Sequence, residues 1–218
     1  MTTGSGTVTR ETRELRPFRA VELRCQGDLT LEQGDPRGIE IEAEDNILPL
    51  IETFTEGDCL VIRFERGLRR IRPTRPIRFR TATPELRAVE VSGSGSVYAP
   101  SVVTDALDLE VSGSGRLAVD ALGAPALDTR ISGSGHVHLE GSVDRQQIRI
   151  SGSGDYRAAA LDSRLASAAI SGSGSASVRV REQLDADISG SGSVRYIGQP
   201  EVHARTSGSG RVRQEAAS

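Results

Sequence analysis

The sequence predicts an all-β fold, a parallel β-solenoid with coils of about 20 residues. Three observations lead there. The tetrapeptide Ser-Gly-Ser-Gly occurs seven times, starting at Ser92, Ser112, Ser132, Ser151, Ser171, Ser189 and Ser207, at spacings of 20, 20, 19, 20, 18 and 18 residues. Each copy sits inside an alternation of apolar and polar residues with period two, the mark of a strand with one face buried. Finally, 36% of residues are hydrophobic but only 3% aromatic, with no Trp, which suits a narrow interior lined by small aliphatic side chains.

Taken in order, residues 1–13 read as a polar N-terminal tail and residues 14–212 as a single β-helix domain. Within it, 14–85 form degenerate capping coils, 86–212 carry the Ser-Gly-Ser-Gly coils, and 213–218 are a C-terminal tail. Residues 18–31 read as a degenerate first coil, because Val21, Leu23, Cys25, Gly27, Leu29 and Leu31 alternate as the later coils do. Ile39 and Ile41, then Leu60, Ile62 and Phe64, then Ile77 and Phe79 supply further short strands between Gly-, Pro- and Asp-containing turns. Such irregularity fits a terminal coil that must cover an exposed edge.

In the regular coils, Val89, Val91, Leu109, Val111, Leu117, Val119, Ile131, Val137, Ile148, Ile150, Ile170 and Ile188 all fall on one face. The same phase puts both glycines of every copy inward: Gly93 and Gly95, Gly113 and Gly115, Gly133 and Gly135, Gly152 and Gly154, Gly172 and Gly174, Gly190 and Gly192, Gly208 and Gly210. The expectation is a wall with no room for a side chain at these positions, and rows of stacked serines outside it. The outward residue two before each copy gives a ladder of Glu90, Glu110, Arg130, Arg149, Ala169, Asp187 and Arg205, in which Glu110 against Arg130 is a favourable contact. The last coils carry polar replacements such as Thr206, and an uncapped parallel stack offers a template for self-association through its end coils.

The chemistry is sparser. A net charge of −3 implies no general preference for nucleic acid, although all 27 basic residues are Arg. Two cysteines, Cys25 and Cys59, are too few for a disulfide framework and match no metal spacing, so both read as free thiols, with a bridge between neighbouring coils the alternative if the protein is exported. One basic concentration stands out: Arg63, Arg66, Arg69, Arg70, Arg72 and Arg75, continuing to Arg78 and Arg80 with Glu65 as the lone acid. These guanidinium groups suit an anionic partner such as an acidic polysaccharide, and the alternative is a solvated insertion between strands. His136 and His138 share the outward face but lack further ligands, so no metal site and no cofactor is expected. Asp108, Asp128 and Asp185 stack on equivalent positions, which would suit paired acids or Ca²⁺, but Gln147 and Ser167 interrupt the row. The repeated serines have no recurring base beside them, so no catalytic residue is assigned and the chain reads as a non-enzyme.

Gly4-Ser5-Gly6-Thr7-Val8, Arg13, Phe18, Val21-Glu22-Leu23, Gly27-Asp28-Leu29, Asp45-Asn46-Ile47-Leu48-Pro49, Gly57-Asp58-Cys59-Leu60-Val61-Ile62 and the Ser-Gly-Ser-Gly series together resemble the bacterial auto-transporter adhesin head, or GIN, domain family. The resemblance covers essentially the whole chain. It implies a right-handed parallel β-helix without recognised catalytic residues, acting as a structural or adhesin-like module for a glycan, envelope component or protein partner. A carbohydrate-active β-helix enzyme and a self-assembling scaffold are the alternatives. Residues 1–20 contain no basic region followed by an apolar run, and no segment is long enough to span a bilayer, so a cytoplasmic product is expected as the sequence stands. The family resemblance points instead to export or envelope association.

Overall fold

In the computed structural model, which describes residues 1–67 and 70–216, the chain is a parallel β-helix of about six turns. The period-two pattern drives this directly. Inward residues of successive coils stack in register, Val91 on Val111, then Ile131, Ile150, Ile170 and Ile188. All six are at most 2% exposed, so each removes nearly its whole side chain from water, worth about 1.5–3 kcal/mol apiece. Burial of this column, repeated on each side of the coil, holds the stack together.

Each coil has three sides, which the strands of one coil define. The first side is Ala106–Gly113, the second corresponds to Ser96–Ala99 of the preceding coil, and the third to Val102–Val103. Ser-Gly-Ser-Gly makes the corner between the first and second sides. Differences in coil length leave this corner untouched. They are absorbed mainly at the next corner, where register shifts fall between Val119 and Leu122, His138 and Glu140, and Ala158 and Asp162, with one further shift between Ser163 and Leu165.

The corner corrects the expectation that both glycines point inward. Only the second does: a Cβ on Gly115 would lie 2.5 Å from Val91 Cγ1 and 3.0 Å from the Gly95 carbonyl oxygen. The first glycine of every copy turns the chain with φ between +105° and +120°, a conformation that an L-residue adopts only under strain. In the degenerate coil the same bend is made differently. Cys25 is buried in place of the first glycine, and the positive φ, +141°, moves to Gly27.

The N-terminal region departs from chain order. Residues 18–31 do form a coil, but not the first in the stack. Cys59–Phe64 and Arg78–Thr83 lie beneath Ala20–Leu23 and Asp28–Gln33, which in turn lie beneath Ala88–Gly93 and Ser96–Ala99. Antiparallel strands then close that lowest coil: Ile51–Glu56 pairs with Cys59–Phe64, and Arg37–Glu44 pairs with both Arg78–Thr83 and Val8–Arg13. Residues 1–13 are therefore not a tail, since Val8–Arg13 is part of the closure and Thr2–Thr3 pairs with Ile71–Arg72. Covering the edge this way satisfies backbone groups that a bare coil would leave unpaired.

The core also contains a polar chain that the alternation alone does not announce. Tyr156, fully buried, donates to Gln146 Oε1 at 2.8 Å, Gln146 Nε2 donates to Ser163 Oγ at 2.8 Å, and Ser163 donates to the Arg179 carbonyl at 2.7 Å. These bonds tie successive coils together across the interior.

Candidate binding face

The outward residues of the first side form straight rows, because the pairing is in register from coil to coil. One row runs Ala106, Ala126, Arg145, Leu165, Gln183; the next Asp108, Asp128, Gln147, Ser167, Asp185; a third Glu110, Arg130, Arg149, Ala169, Asp187. Alanine and serine among long side chains leave gaps, and the gaps join into grooves. A groove of about 530 Å³ separates the first two rows over a floor of Leu107, Leu127, Gln146 and Ala166. A second of about 680 Å³ continues past Ser167, Ala169, Asp187 and His203, and a third of about 440 Å³ lies over Ile131, Ile150 and Ile170 beside the outward serines. All three open on this side of the helix.

Some of the charges there engage each other. Asp128 pairs with Arg130 at 3.1 Å and with Arg149 at 2.9 Å, so Arg130 turns to Asp128 where the ladder suggested Glu110. Gln183 donates to Asp185 at 2.8 Å. Glu22, Glu90 and Glu110 stack on three consecutive coils. Burial, then the neighbouring Glu22 carboxylate, pushes the Glu90 carboxyl up, opposed in part by a hydrogen bond from Ser92. The stacked acids Asp108, Asp128 and Asp185 do share a row, and His203 follows Asp185 in it, its imidazole meeting Glu201 at 3.4 Å.

The remaining candidate residues lie elsewhere. His136 and His138 are on the second side, and each meets its own acid, Asp155 at 3.2 Å and Glu140 at 3.1 Å. Among the described residues no group of three or more His, Cys, Asp or Glu is placed to hold a metal ion. Cys25 and Cys59 are both free.

The arginine-rich segment occupies the corner position of the lowest coil, where it joins the strand ending at Phe64 to the strand starting at Arg78 and replaces the Ser-Gly-Ser-Gly bend. Its ends are neutralised by the closing strands: Arg63 pairs with Glu52 at 2.7 Å and stands 4.9 Å from the Phe54 ring centre, while Arg78 meets Glu42 and Arg80 meets Glu40. Arg66, Arg70, Arg72 and Arg75 have exposed side chains and no ion pair among the described residues, and Arg69 lies outside those residues. Sequence reasoning missed the first-side grooves. The signal for them was present in Ala126 and Ala169, small residues at outward positions where a strand row usually carries long ones.

Residues 17–200 match the sequence profile of the family described as "putative auto-transporter adhesin, head GIN domain". The chain belongs to that family. Solved structures with the same fold as this GIN domain include one described as a "putative adhesin" from Bacteroides fragilis, 22% identical, with a TM-score of 0.91 over 99% of this chain and 100% of that one. Another, described as a "putative lipid binding protein" from Parabacteroides distasonis, is 24% identical with a TM-score of 0.78 over 98% of each chain. A third, described as a "putative adhesin" from Parabacteroides merdae, is 22% identical with a TM-score of 0.75, again over 98% of each. At these identities the likeness shows the fold. A comparison with curated proteins found no match. No helix among the described residues is long and apolar enough to cross a membrane.

Proposed function

We propose that this GIN domain is a non-enzymatic, adhesin-like module that binds a glycan or other envelope component along the grooved first side, as part of an exported or envelope-associated protein. The observation that carries the reading is the confluence of three grooves on one side of the stack, lined by hydroxyl, carboxylate, amide and guanidinium groups. Family membership supports the adhesin-like class, and with it the exported location over the cytoplasmic one expected from residues 1–20. The non-enzymatic reading is supported by the acids themselves. Asp128 is held between two arginines, Arg130 and Arg149, and so is already engaged within the protein.

The corner arginines Arg66, Arg70, Arg72 and Arg75 are proposed as a separate contact for an anionic partner, since guanidinium forks without internal acids are free to engage carboxylate or phosphate. The test is binding of the purified protein to arrayed acidic and neutral glycans, with product release monitored and an Arg70→Ala/Arg72→Ala variant alongside. Salt-sensitive binding that weakens in the variant, without product, supports both the module and the corner contact. Binding that the variant leaves intact removes the corner contact alone. Product release overturns the non-enzymatic reading.

A further inference from the structure

The two ends of the β-helix differ. The lowest coil is closed by antiparallel strands, whereas no strand among the described residues covers the outer edge of Glu201–Gly208, the last run on the first side. This edge is eight residues long, contains no proline and pairs without a bulge to the coil below, so among the devices that blunt edges it has only its charged side chains, Glu201 and Arg205. Its inward residues leave the core thinly covered: Val202 is only half-buried, and Ala204 and Thr206 are exposed.

We propose that the open end binds a second copy of this chain, giving a two-fold dimer in which the two Glu201–Gly208 strands pair antiparallel. Three relationships select this occupant. In the antiparallel register that sets His203 opposite itself, Glu201 lies opposite Arg205 of the partner subunit, and the relation recurs by symmetry. Arg205 has no ion pair within its own chain among the described residues and is therefore available, while Glu201 meets only His203, at 3.4 Å. In the same register Val202 of one copy lies opposite Ala204 of the partner subunit on the inward face, which continues the apolar core.

The end is also stepped in a self-complementary way. Arg211–Gln214 stacks on Ser193–Ile197, so the second side stands one strand higher, while the third side, residues 198–200, has no strand above it among the described residues and is met there by the Gln214 side chain, which donates to the Gly198 carbonyl at 2.6 Å. A two-fold axis perpendicular to the first side exchanges these, laying the raised step of each copy over the lower third side of the other. Because the opposite end is closed, association through the open one gives an isologous pair and not a filament.

The experiment is sedimentation velocity on the 218-residue chain from about 1 to 500 μM, with circular dichroism confirming the fold of each variant. The expected result is a reversible monomer–dimer equilibrium. Arg205→Glu alone and Glu201→Arg alone, which set like charges opposite each other twice per dimer, each weaken it by about tenfold or more. The double variant Glu201→Arg/Arg205→Glu, and an equimolar mixture of the two single variants, restore it. A monomer throughout this range, a dimer indifferent to charge reversal, or an open-ended polymer overturns the proposal.

Discussion

The Thr74 hydroxyl and backbone N–H both donate to the Glu44 carboxylate, at 2.5 and 2.8 Å. Gly6 N–H and Arg75 N–H complete the set, at 2.7 and 3.3 Å, so one buried acid fastens the N-terminal segment and the arginine-rich corner to the closing strands. Burial by itself would push the Glu44 carboxyl up. The four hydrogen bonds outweigh it and hold the pKa at about 2.

This fixes the direction of an acid effect. The folded-state value lies below the unfolded one, so the stability contributed by Glu44 is complete above about pH 4.5 and is lost as pH falls toward 2. Glu44→Gln should lower the urea midpoint at pH 7 and flatten its fall between pH 4.5 and 2. Parallel acid profiles for wild type and variant would show that Glu44 is not the anchor.

At one corner, two glycines serve different ends and should fail for different reasons. A Cβ on Gly135 would lie 2.4 Å from Val111 Cγ1 inside the coil, so Gly135→Ala overpacks the wall, at a cost of about 1–3 kcal/mol. Gly133 holds φ +110°, and a Cβ there would lie 2.7 Å from the Gly113 carbonyl oxygen, so Gly133→Val strains the backbone by a similar or larger amount. Ser134, exposed between them, should tolerate Ala within about 0.5 kcal/mol. Thermal unfolding of the three variants checks this, and equal losses from all three would refute the assignment.

Tyr156→Phe removes the donor that satisfies Gln146 Oε1 in the sealed interior. An acceptor left unpaired there costs about 1–3 kcal/mol, so the variant should unfold at measurably lower denaturant. An unchanged midpoint would mean that the polar chain through Gln146 and Ser163 adds nothing to stability.

Burial pushes the Cys25 thiol up to about 12, and burial with the Glu22, Glu90 and Asp58 carboxylates raises Cys59 to about 11. Both stay protonated at pH 8, where the thiolate is the reactive form. A chromogenic disulfide reagent should therefore react slowly with the native protein and release two equivalents on denaturation. Zero equivalents under denaturing, non-reducing conditions would reveal a disulfide.

The regular coils were legible in the sequence because one physical variable, burial on alternate residues, sets them, and it repeats seven times. Chain order in the N-terminal region was not legible. Placing Cys59–Phe64 beneath Ala20–Leu23 depends on which coil needs antiparallel cover, a choice made by long-range pairing and not by local pattern. The exposed first glycines escape the alternation for a related reason. Period two assigns a face correctly only along a flat strand, and Gly93 bends the chain out of that phase through a positive φ before Gly95 restores it. The grooves follow from gaps such as Ala126 and Ala169, whose meaning emerges only once neighbouring coils are in register.

The most direct test of the binding account blocks the groove between the first two rows without changing any charge. Ala126, half-buried in the row that walls it, is replaced by Trp, and Ala121, exposed at the corner between the second and third sides, is replaced by Trp as the control. Both variants are measured for glycan-array binding beside the wild type. The account predicts that the wild type and Ala121→Trp retain the same glycans and that Ala126→Trp loses them. Retention by Ala126→Trp, or equal loss in both variants, would contradict a binding surface on the first side.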